Sequence, residues 1–167
     1  RDALEERELQ LTQKQMRDVN RENKKKRREM AEKKRKMAKE ENLKAAEEFL
    51  AENKDKEGVI TTSSGLQYKV LEEGNGDSPS ASDTVRVDYE GKLLNGSVFD
   101  SSYSRGKPSE FGVSQVIKGW TEVLQLMETG EVVEVYIHPK LAYGPTGNRS
   151  IPPNSLLIFK VELHEVL

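Results

Sequence analysis

The chain has 167 residues, a formal net charge of −2, 34% charged residues and no cysteine. This length predicts one domain with an appendage. The lack of cysteine excludes disulfides, zinc–thiolate sites and cysteine nucleophiles. No segment approaches the roughly 18 apolar residues of a membrane span, and the first residues lack the pattern of a signal peptide. Because the chain opens on RDALEERELQ, within a helical pattern, we expect it to be a piece of a longer protein.

Charge and composition divide the chain near Gly58. Residues 1–57 hold 18 Lys and Arg against 15 Asp and Glu, whereas residues 58–167 hold 9 against 14. All the glycines and prolines, and every aromatic residue but Phe49, lie in the second part. We therefore predict a helical stalk or linker over 1–57 and a compact domain over 58–167.

The first part has the composition of one long exposed helix. Residues 13–54 contain no Gly or Pro and are rich in good helix formers. Thr12 with Gln15 predicts a capping box at its start, and NKDKEG, ending at Gly58, predicts its end. Acidic residues four positions before lysines favour ion pairs along its surface, namely Glu22–Lys26, Glu29–Lys33 and Glu32–Lys36.

Two stretches of this helix suggest contacts. Residues 20–39 carry 11 basic and 3 acidic side chains. Such a segment is either a solvated strut or a surface for nucleic acid or an anionic membrane. It has no interleaved aromatics, so we favour the strut and expect no nucleic acid partner. Near the end, a short apolar stripe could rest on the following domain or on a partner: Leu43, Ala46, Phe49 and Leu50.

From Gly58 onward the pattern changes to the period of two that is typical of strands. LQYKVL, VRVDYEG, VVEVYIH and LLIFKVELHEVL alternate, and Asn95-Gly96 predicts a hairpin. KGWTEVLQLMETG instead predicts one short helix closed by Gly130. The apolar faces expected to meet in the core comprise Val85, Val87 and Tyr89, then Trp120, Val123, Leu124 and Met127, then Leu157, Phe159, Val161 and Leu163. The fold class is therefore α+β, a long exposed N-terminal helix followed by an antiparallel sheet curved around one short helix.

Three separated blocks of the second part resemble a known family. VDYEGKLLNGSVFDSS, VIKGWTEVLQLM and LAYGPTGNRSIPPNSLLIFKVEL are similar, in order and spacing, to FKBP-type peptidyl-prolyl cis/trans isomerases. The upstream helix and its junction resemble the macrophage-infectivity-potentiator and FkpA-like subfamily of Gram-negative bacteria. In that subfamily the helix joins the isomerase to an N-terminal dimerisation domain, most of which is missing here.

The resemblance implies a pocket that binds proline and lowers the barrier to rotation about X–Pro bonds. Trp120 would be its floor and Tyr143 would offer a hydroxyl to a substrate carbonyl. Asp100, which Arg105 would pair with, would face the twisting amide or orient the polar groups around it. The backbone N–H of Ile117 would hold another carbonyl. Walls and rim would comprise Tyr89, Phe99, Val116, Ile117, Ile151 and Phe159.

Some features of this site carry further expectations. The segment 98–108 is expected to be an irregular loop that turns Phe99 and Asp100 inward. Ser109 replaces an aromatic that small relatives carry, which predicts a more open wall, and Asn148 replaces a frequent histidine in a shorter loop. His138 and His164 lie opposite the apolar strand faces, so we expect them to face solvent. Without a nearby acid cluster they make a poor metal site, and no metal or cofactor is predicted.

The resemblance also implies partners and a location. Proline-containing polypeptides would be the substrates, macrolides of the rapamycin and tacrolimus type could bind the pocket, and a homodimer would form through the missing N-terminal region. The alternative function is a chaperone or binding module that holds proline-containing clients with incidental turnover. The expected location is the periplasm, outer membrane or cell surface of a Gram-negative bacterium, with the cytoplasm as the alternative.

Overall fold

The structure, a computed structural model, describes residues 2–167. The chain opens with the long helix α1, continues into a seven-stranded sheet, and inserts two short helices and a 3₁₀ turn between strands. The elements are α1 (Asp2–Asn53), β1 (Val59–Thr61), β2 (Gln67–Glu72), β3 (Thr84–Leu93), β4 (Val98–Ser101), α2 (Ser102–Arg105), β5 (Ser109–Gly112), α3 (Lys118–Leu126), β6 (Val132–Ile137), the 3₁₀ turn (Pro139–Leu141) and β7 (Leu157–Val166). The predicted fold class is confirmed.

Helix α1 starts earlier than the capping pattern predicted. Thr12 is not an N-cap: its hydroxyl donates to the carbonyl of Glu8, 2.9 Å away, inside the helix. The residues before it are also strong helix formers without a Gly or Pro, so nothing interrupts the helix there. Of the three predicted ion pairs, only Glu22–Lys26, at 3.6 Å, lies within 4 Å among residues 2–167. Exposed pairs of this kind add little stability.

The chain forms two compact units, Arg1–Ala38 and Lys39–Leu167. In the first unit, residues 2–37 of α1 are exposed. The second unit contains the last turns of α1 together with the sheet. The boundary between a stalk over 1–57 and an isomerase domain over 58–167 stays a prediction.

The sheet is antiparallel throughout, with strand order β1-β2-β6-β7-β3-β4 and β5 paired to β3. The predicted hairpin forms between β3 and β4, where Gly96 has φ 90° and donates its N–H to the carbonyl of Leu93. Helix α3 covers the inner face of the sheet. The three apolar sets predicted for the core are all buried, as alternation on strands and the helical period require.

The outer face of the sheet carries the end of α1. Ala46 and Leu50 are buried against Tyr136, Leu156 and Ile158. Phe49 also packs there, with its ring centroid 5.7 Å from that of Tyr136, so the predicted apolar stripe rests on this unit. A buried amide contact joins the same two parts, since the side-chain N–H of Asn53 donates to Gln67 Oε1 at 2.9 Å and Gln67 donates to the carbonyl of Leu50 at 2.8 Å.

The segment 98–108 is more regular than predicted. Residues 98–101 form β4, in which Asp100 pairs with Gly91 of β3. Ser101 then caps α2, because its Oγ accepts the N–H of Ser104, and Gly106 ends α2 with φ 76°. Strand pairing and a serine cap therefore order most of a stretch whose composition suggested a loop.

Candidate functional site

A cavity of about 500 Å³ opens beside α3 at the inner face of the sheet. Most of its lining is aromatic or aliphatic, and its polar side-chain groups include one carboxylate, one amide and two tyrosine hydroxyls. The lining residues are Tyr89, Phe99, Asp100, Phe111, Gln115, Val116, Ile117, Trp120, Tyr143 and Phe159. An apolar concave surface with a few polar groups is the usual form of a small ligand site.

Trp120 lies in the first turn of α3 and forms the bottom of this cavity. Its indole is only 4% exposed, because three rings meet it edge-on. Their centroids lie 5.1 Å (Tyr89), 5.5 Å (Phe111) and 5.2 Å (Phe159) from its own. Its Nε1–H is buried without an acceptor among the residues described. Trp120 therefore packs among the aromatic walls of the cavity.

Two glycines allow close packing around the cavity, Gly91 against aromatic rings and Gly119 against Ile137. A Cβ on Gly91 of β3 would lie 2.5 Å from Phe159 Cε1 and 2.6 Å from Phe99 Cζ. A Cβ on Gly119 of α3 would lie 2.7 Å from Ile137 Cγ2, so the start of α3 approaches β6 closely. Real Cβ contacts at these distances do not occur without displacement, so both positions require glycine for this arrangement.

Asp100, Tyr89 and Arg105 form a polar group at one side of the cavity. The hydroxyl of Tyr89 donates to Asp100 Oδ2 at 2.6 Å, and Arg105 donates to Asp100 Oδ1 at 2.6 Å and to the Tyr89 oxygen at 2.8 Å. Arg105 also donates to Ser109 Oγ at 3.2 Å and lies 5.6 Å from the centroid of the Tyr89 ring. Arg105 therefore lies outside the cavity lining and holds two residues of it.

These contacts shift the pKa values of Asp100 and Tyr89. Burial by itself would raise the pKa of Asp100, but the hydrogen bonds from Tyr89 and Arg105 and the charge of Arg105 lower it below its ordinary value. Burial, with the hydrogen bond to Asp100, raises the pKa of Tyr89. Asp100 is therefore an anion and Tyr89 a neutral phenol at neutral pH.

Two further polar groups at the cavity have no protein partner within residues 2–167. The hydroxyl of Tyr143, a residue that is 40% exposed, makes no side-chain hydrogen bond. The backbone N–H of Ile117 also donates to no protein acceptor, although the Ile117 carbonyl accepts from Trp120 and Thr121. Both groups are available to a bound ligand.

Most of the residues predicted for the site line this cavity, but Arg105 and Ile151 do not. Ile151 is 3% exposed and packs in the core. Asn148 turns the loop, since its Oδ1 accepts the N–H groups of Ser150 and Ile151. This turn directs Ile151 inward.

Sequence reasoning missed Phe111 and Gln115. Phe111 of β5 fills the wall between Tyr89 and Trp120, with ring centroids 5.7 and 5.5 Å away. The sequence feature that pointed to Phe111 was an aromatic residue two positions after Ser109. It lies in β5, a four-residue strand that is too short to show the alternation of a strand in the sequence. The more open wall expected at Ser109 stays a prediction.

The two histidines lie away from the cavity lining. His138 is half-buried rather than solvent-facing, because its Nδ1 accepts the N–H of Lys140 and its Nε2 lies 3.7 Å from Glu47. His164 is exposed as predicted, but it does have acids nearby: its Nε2 is 2.8 Å from Asp88, and Glu162 completes the group. Ser102 and Tyr103 donate to these two carboxylates.

A second cavity, of about 340 Å³, lies between the end of α1 and the β3–β4 turn. Asn42, Asn95 and Ser155 contribute polar groups to it, and it contains no aromatic side chain. It therefore lacks the ring-lined walls of the larger cavity.

Comparison with known proteins agrees with this geometry. The family model described as FKBP-type peptidyl-prolyl cis-trans isomerase matches residues 76–164, and the model described as the domain amino terminal to it matches residues 1–70. The outer membrane protein MIP of Legionella longbeachae is 46% identical over 99% of this chain and 71% of its own length. The peptidyl-prolyl cis-trans isomerase Mip of Coxiella burnetii is 55% identical over 71% of this chain.

Solved structures show the same likeness. The crystal structure of FkpA from Escherichia coli has a TM-score of 0.79 and 43% identity, covering 81% of this chain and 64% of that chain. A peptidyl-prolyl isomerase from Pseudomonas syringae has a TM-score of 0.72 and 38% identity, covering 76% and 94%. The chain spans about half the length of the Coxiella relative, 52%. In the residues described, no helix is both long and apolar enough to cross a membrane. The family predicted from the sequence is confirmed, and this chain belongs to the FKBP-type peptidyl-prolyl cis-trans isomerases.

Proposed function

We propose that this chain catalyses cis–trans rotation about X–Pro peptide bonds and so assists the folding of proline-containing polypeptides. The observation that carries the proposal is the open cavity over the Trp120 indole, walled by aromatic rings and edged by unpaired hydrogen-bond donors. The names of the matched relatives support the same reaction.

The reaction needs no strong nucleophile. Resonance makes the X–Pro amide planar, and the barrier to rotation is about 18–20 kcal/mol. Water favours the charge-separated planar amide, whereas the twisted transition state has lost that separation. An apolar cavity that replaces water around the amide therefore stabilises the twisted form relative to the planar one.

The residues around the cavity suit distinct roles in this reaction. Trp120 would lie beneath the proline ring, and the walls would be formed by Tyr89, Phe99, Phe111, Val116 and Phe159. The free N–H of Ile117 and the free hydroxyl of Tyr143 would each hold a substrate carbonyl. Anchoring both sides of the bond leaves its rotation as the remaining degree of freedom.

Asp100 has a different role in this reaction from the residues that hold the substrate. Its two oxygens already accept hydrogen bonds from Tyr89 and Arg105, and its pKa is lowered, so it is a poor proton donor. It acts as a fixed anion at the edge of the cavity, next to the rotating amide. Arg105 is a positioning residue, since it holds Asp100 and Tyr89 without lining the cavity.

A protease-coupled tetrapeptide assay tests the proposal. Trp120→Leu removes the ring surface under the substrate proline. If that contact contributes about 1.4 kcal/mol to the transition state, kcat/KM falls about tenfold. Leu126→Ala is the matched control, because this leucine lies on the same helix but is 45% exposed. An inactive wild-type chain, or equal activity of both variants, would refute the assignment.

The match of residues 1–70 to the domain amino terminal to these isomerases supports a second part of the proposal. The N-terminal region to which the stalk helix belongs dimerises. The two cavities of one dimer then hold a client at two points, which raises the effective concentration of the client at the second cavity. Suppression of client aggregation measures this holding function. If holding survives Trp120→Leu and Asp100→Ala while isomerisation is lost, it does not depend on the cavity.

We further propose that macrolides of the rapamycin and tacrolimus type bind this cavity, because its volume and rings suit a large apolar ligand. The Legionella relative is named an outer membrane protein, which supports a location in the bacterial envelope. Competition between macrolide and tetrapeptide tests the first idea, and cell fractionation tests the second.

A further inference from the structure

The charged side chains of α1 are not distributed evenly around the helix. Successive residues of an α-helix are turned by about 100°. On this count, all acidic residues between positions 18 and 38 fall in one sector, namely Asp18, Glu22, Glu29 and Glu32. Glu22 pairs with Lys26 at 3.6 Å on that side.

Another sector of the helix, about 120° wide and beginning about 40° from Glu32, has cations and no acid. Over residues 20–38 its members are Asn20, Lys24, Arg27, Arg28, Ala31, Lys34, Arg35 and Ala38, which we term the acid-free face. None of its five cations lies within 4 Å of a carboxylate in the part of the chain that is described, and all are exposed. Between Lys24 and Arg35 this face extends about 17 Å along the helix, at 1.5 Å per residue.

We propose that the acid-free face docks on the phosphate headgroups of an anionic phospholipid bilayer. Five exposed cations in one sector of a helix match a flat surface that presents negative charge continuously, and clusters of four to eight Lys or Arg are typical of binding to anionic lipids. The face has only Ala31 and Ala38 as apolar residues, so it rests on the headgroups without entering the hydrocarbon.

Other occupants fit this face less well. A second copy of the chain would place one row of cations against another, which is repulsive. A single-stranded nucleic acid is held partly by stacking on aromatic residues, and this face has none. The choice of a bilayer rests on the proposed envelope location, whereas the face itself does not depend on the isomerase activity.

The test compares two variants of the full chain that lose the same charge. The first carries Lys24→Gln, Arg28→Gln, Lys34→Gln and Arg35→Gln on the acid-free face. The second carries Lys25→Gln, Lys26→Gln, Lys33→Gln and Lys36→Gln on the acidic side. Flotation with vesicles of equal parts phosphatidylglycerol and phosphatidylcholine measures binding, and vesicles of phosphatidylcholine alone are the reference.

Each Lys or Arg at an anionic surface strengthens binding about fivefold, so the first variant should bind about a hundredfold or more weaker than wild type. The second should bind within about tenfold of wild type, and wild-type binding should weaken steeply with salt. Equal losses in both variants would show that net charge, not this face, is responsible. No binding of wild type to the anionic vesicles, or tighter binding to a DNA duplex that only the first variant loses, would also overturn the proposal. Tetrapeptide isomerisation by both variants should equal that of wild type, so a failure of vesicle docking is distinguishable from a failure of the proposed activity.

Discussion

Gly91→Ala is the substitution that most directly links the packing of this domain to its cavity. The new Cβ would lie 2.5 Å from Phe159 and 2.6 Å from Phe99, whereas carbon atoms pack at about 3.5–4.0 Å. The rings must therefore move by about 1 Å. Phe159 is held by Trp120 on one side and by β7, whereas Phe99 is only half-buried at the cavity. We expect Phe99 to move into the cavity.

Overpacking of this kind costs about 1–3 kcal/mol, and the partial freedom of Phe99 places the expected loss near the lower end. Urea unfolding measures this loss, and the tetrapeptide assay should show a fall in kcat/KM because the cavity is narrowed. Glu90→Ala, on the neighbouring position and the other face of β3, is the control and should leave activity unchanged. Full activity in Gly91→Ala would refute the reasoning, whether or not stability fell.

Three further outcomes are expected. Asn53→Ala leaves the buried Oε1 of Gln67 without its donor and should lower the free energy of unfolding by about 1–3 kcal/mol, measured in urea; an unchanged value would contradict the buried contact. Burial raises the pKa of the Glu131 carboxyl in the folded protein. The ionised carboxylate therefore lowers the stability of the fold, and this loss develops as pH rises from about 4.5, the pKa in the unfolded chain, towards the raised pKa of the folded protein. Glu131→Gln should therefore be more stable than wild type at neutral pH, with the difference vanishing in acid. The pKa of Asp100 is lowered in the folded protein, so ionisation of this carboxyl stabilises the fold. Arg105→Met should therefore be less stable than wild type at neutral pH, and the difference should shrink as pH falls below about 4. A pH-independent difference would mean that Arg105 acts by packing alone.

The elements that the sequence predicted well are those whose period reflects one buried face. Val85, Val87 and Tyr89 alternate along β3 and all point inward, and Trp120 and Val123 share the buried face of α3. These patterns are local, because the geometry of one strand or helix turns spacing into direction. The family motifs add the reaction class, since they place an indole, a tyrosine and an acid at separated positions that the fold brings together.

Composition and periodicity, then, indicated the long helix, four of the strands, the short helix α3 and their core faces without reference to any contact, and three sequence blocks carried the resemblance to the family. Tertiary structure decided where the less periodic side chains went. Phe111 lies in the cavity wall because of the register between β5 and β3. Ile151 lies in the core because the turn at Asn148 sets its direction. Tertiary structure also decided that the pKa of Asp100 is lowered, since that depends on Tyr89 and Arg105 lying within hydrogen-bond distance. Distances between residues far apart in the chain depend on how the sheet is registered and packed, and no local pattern encodes them.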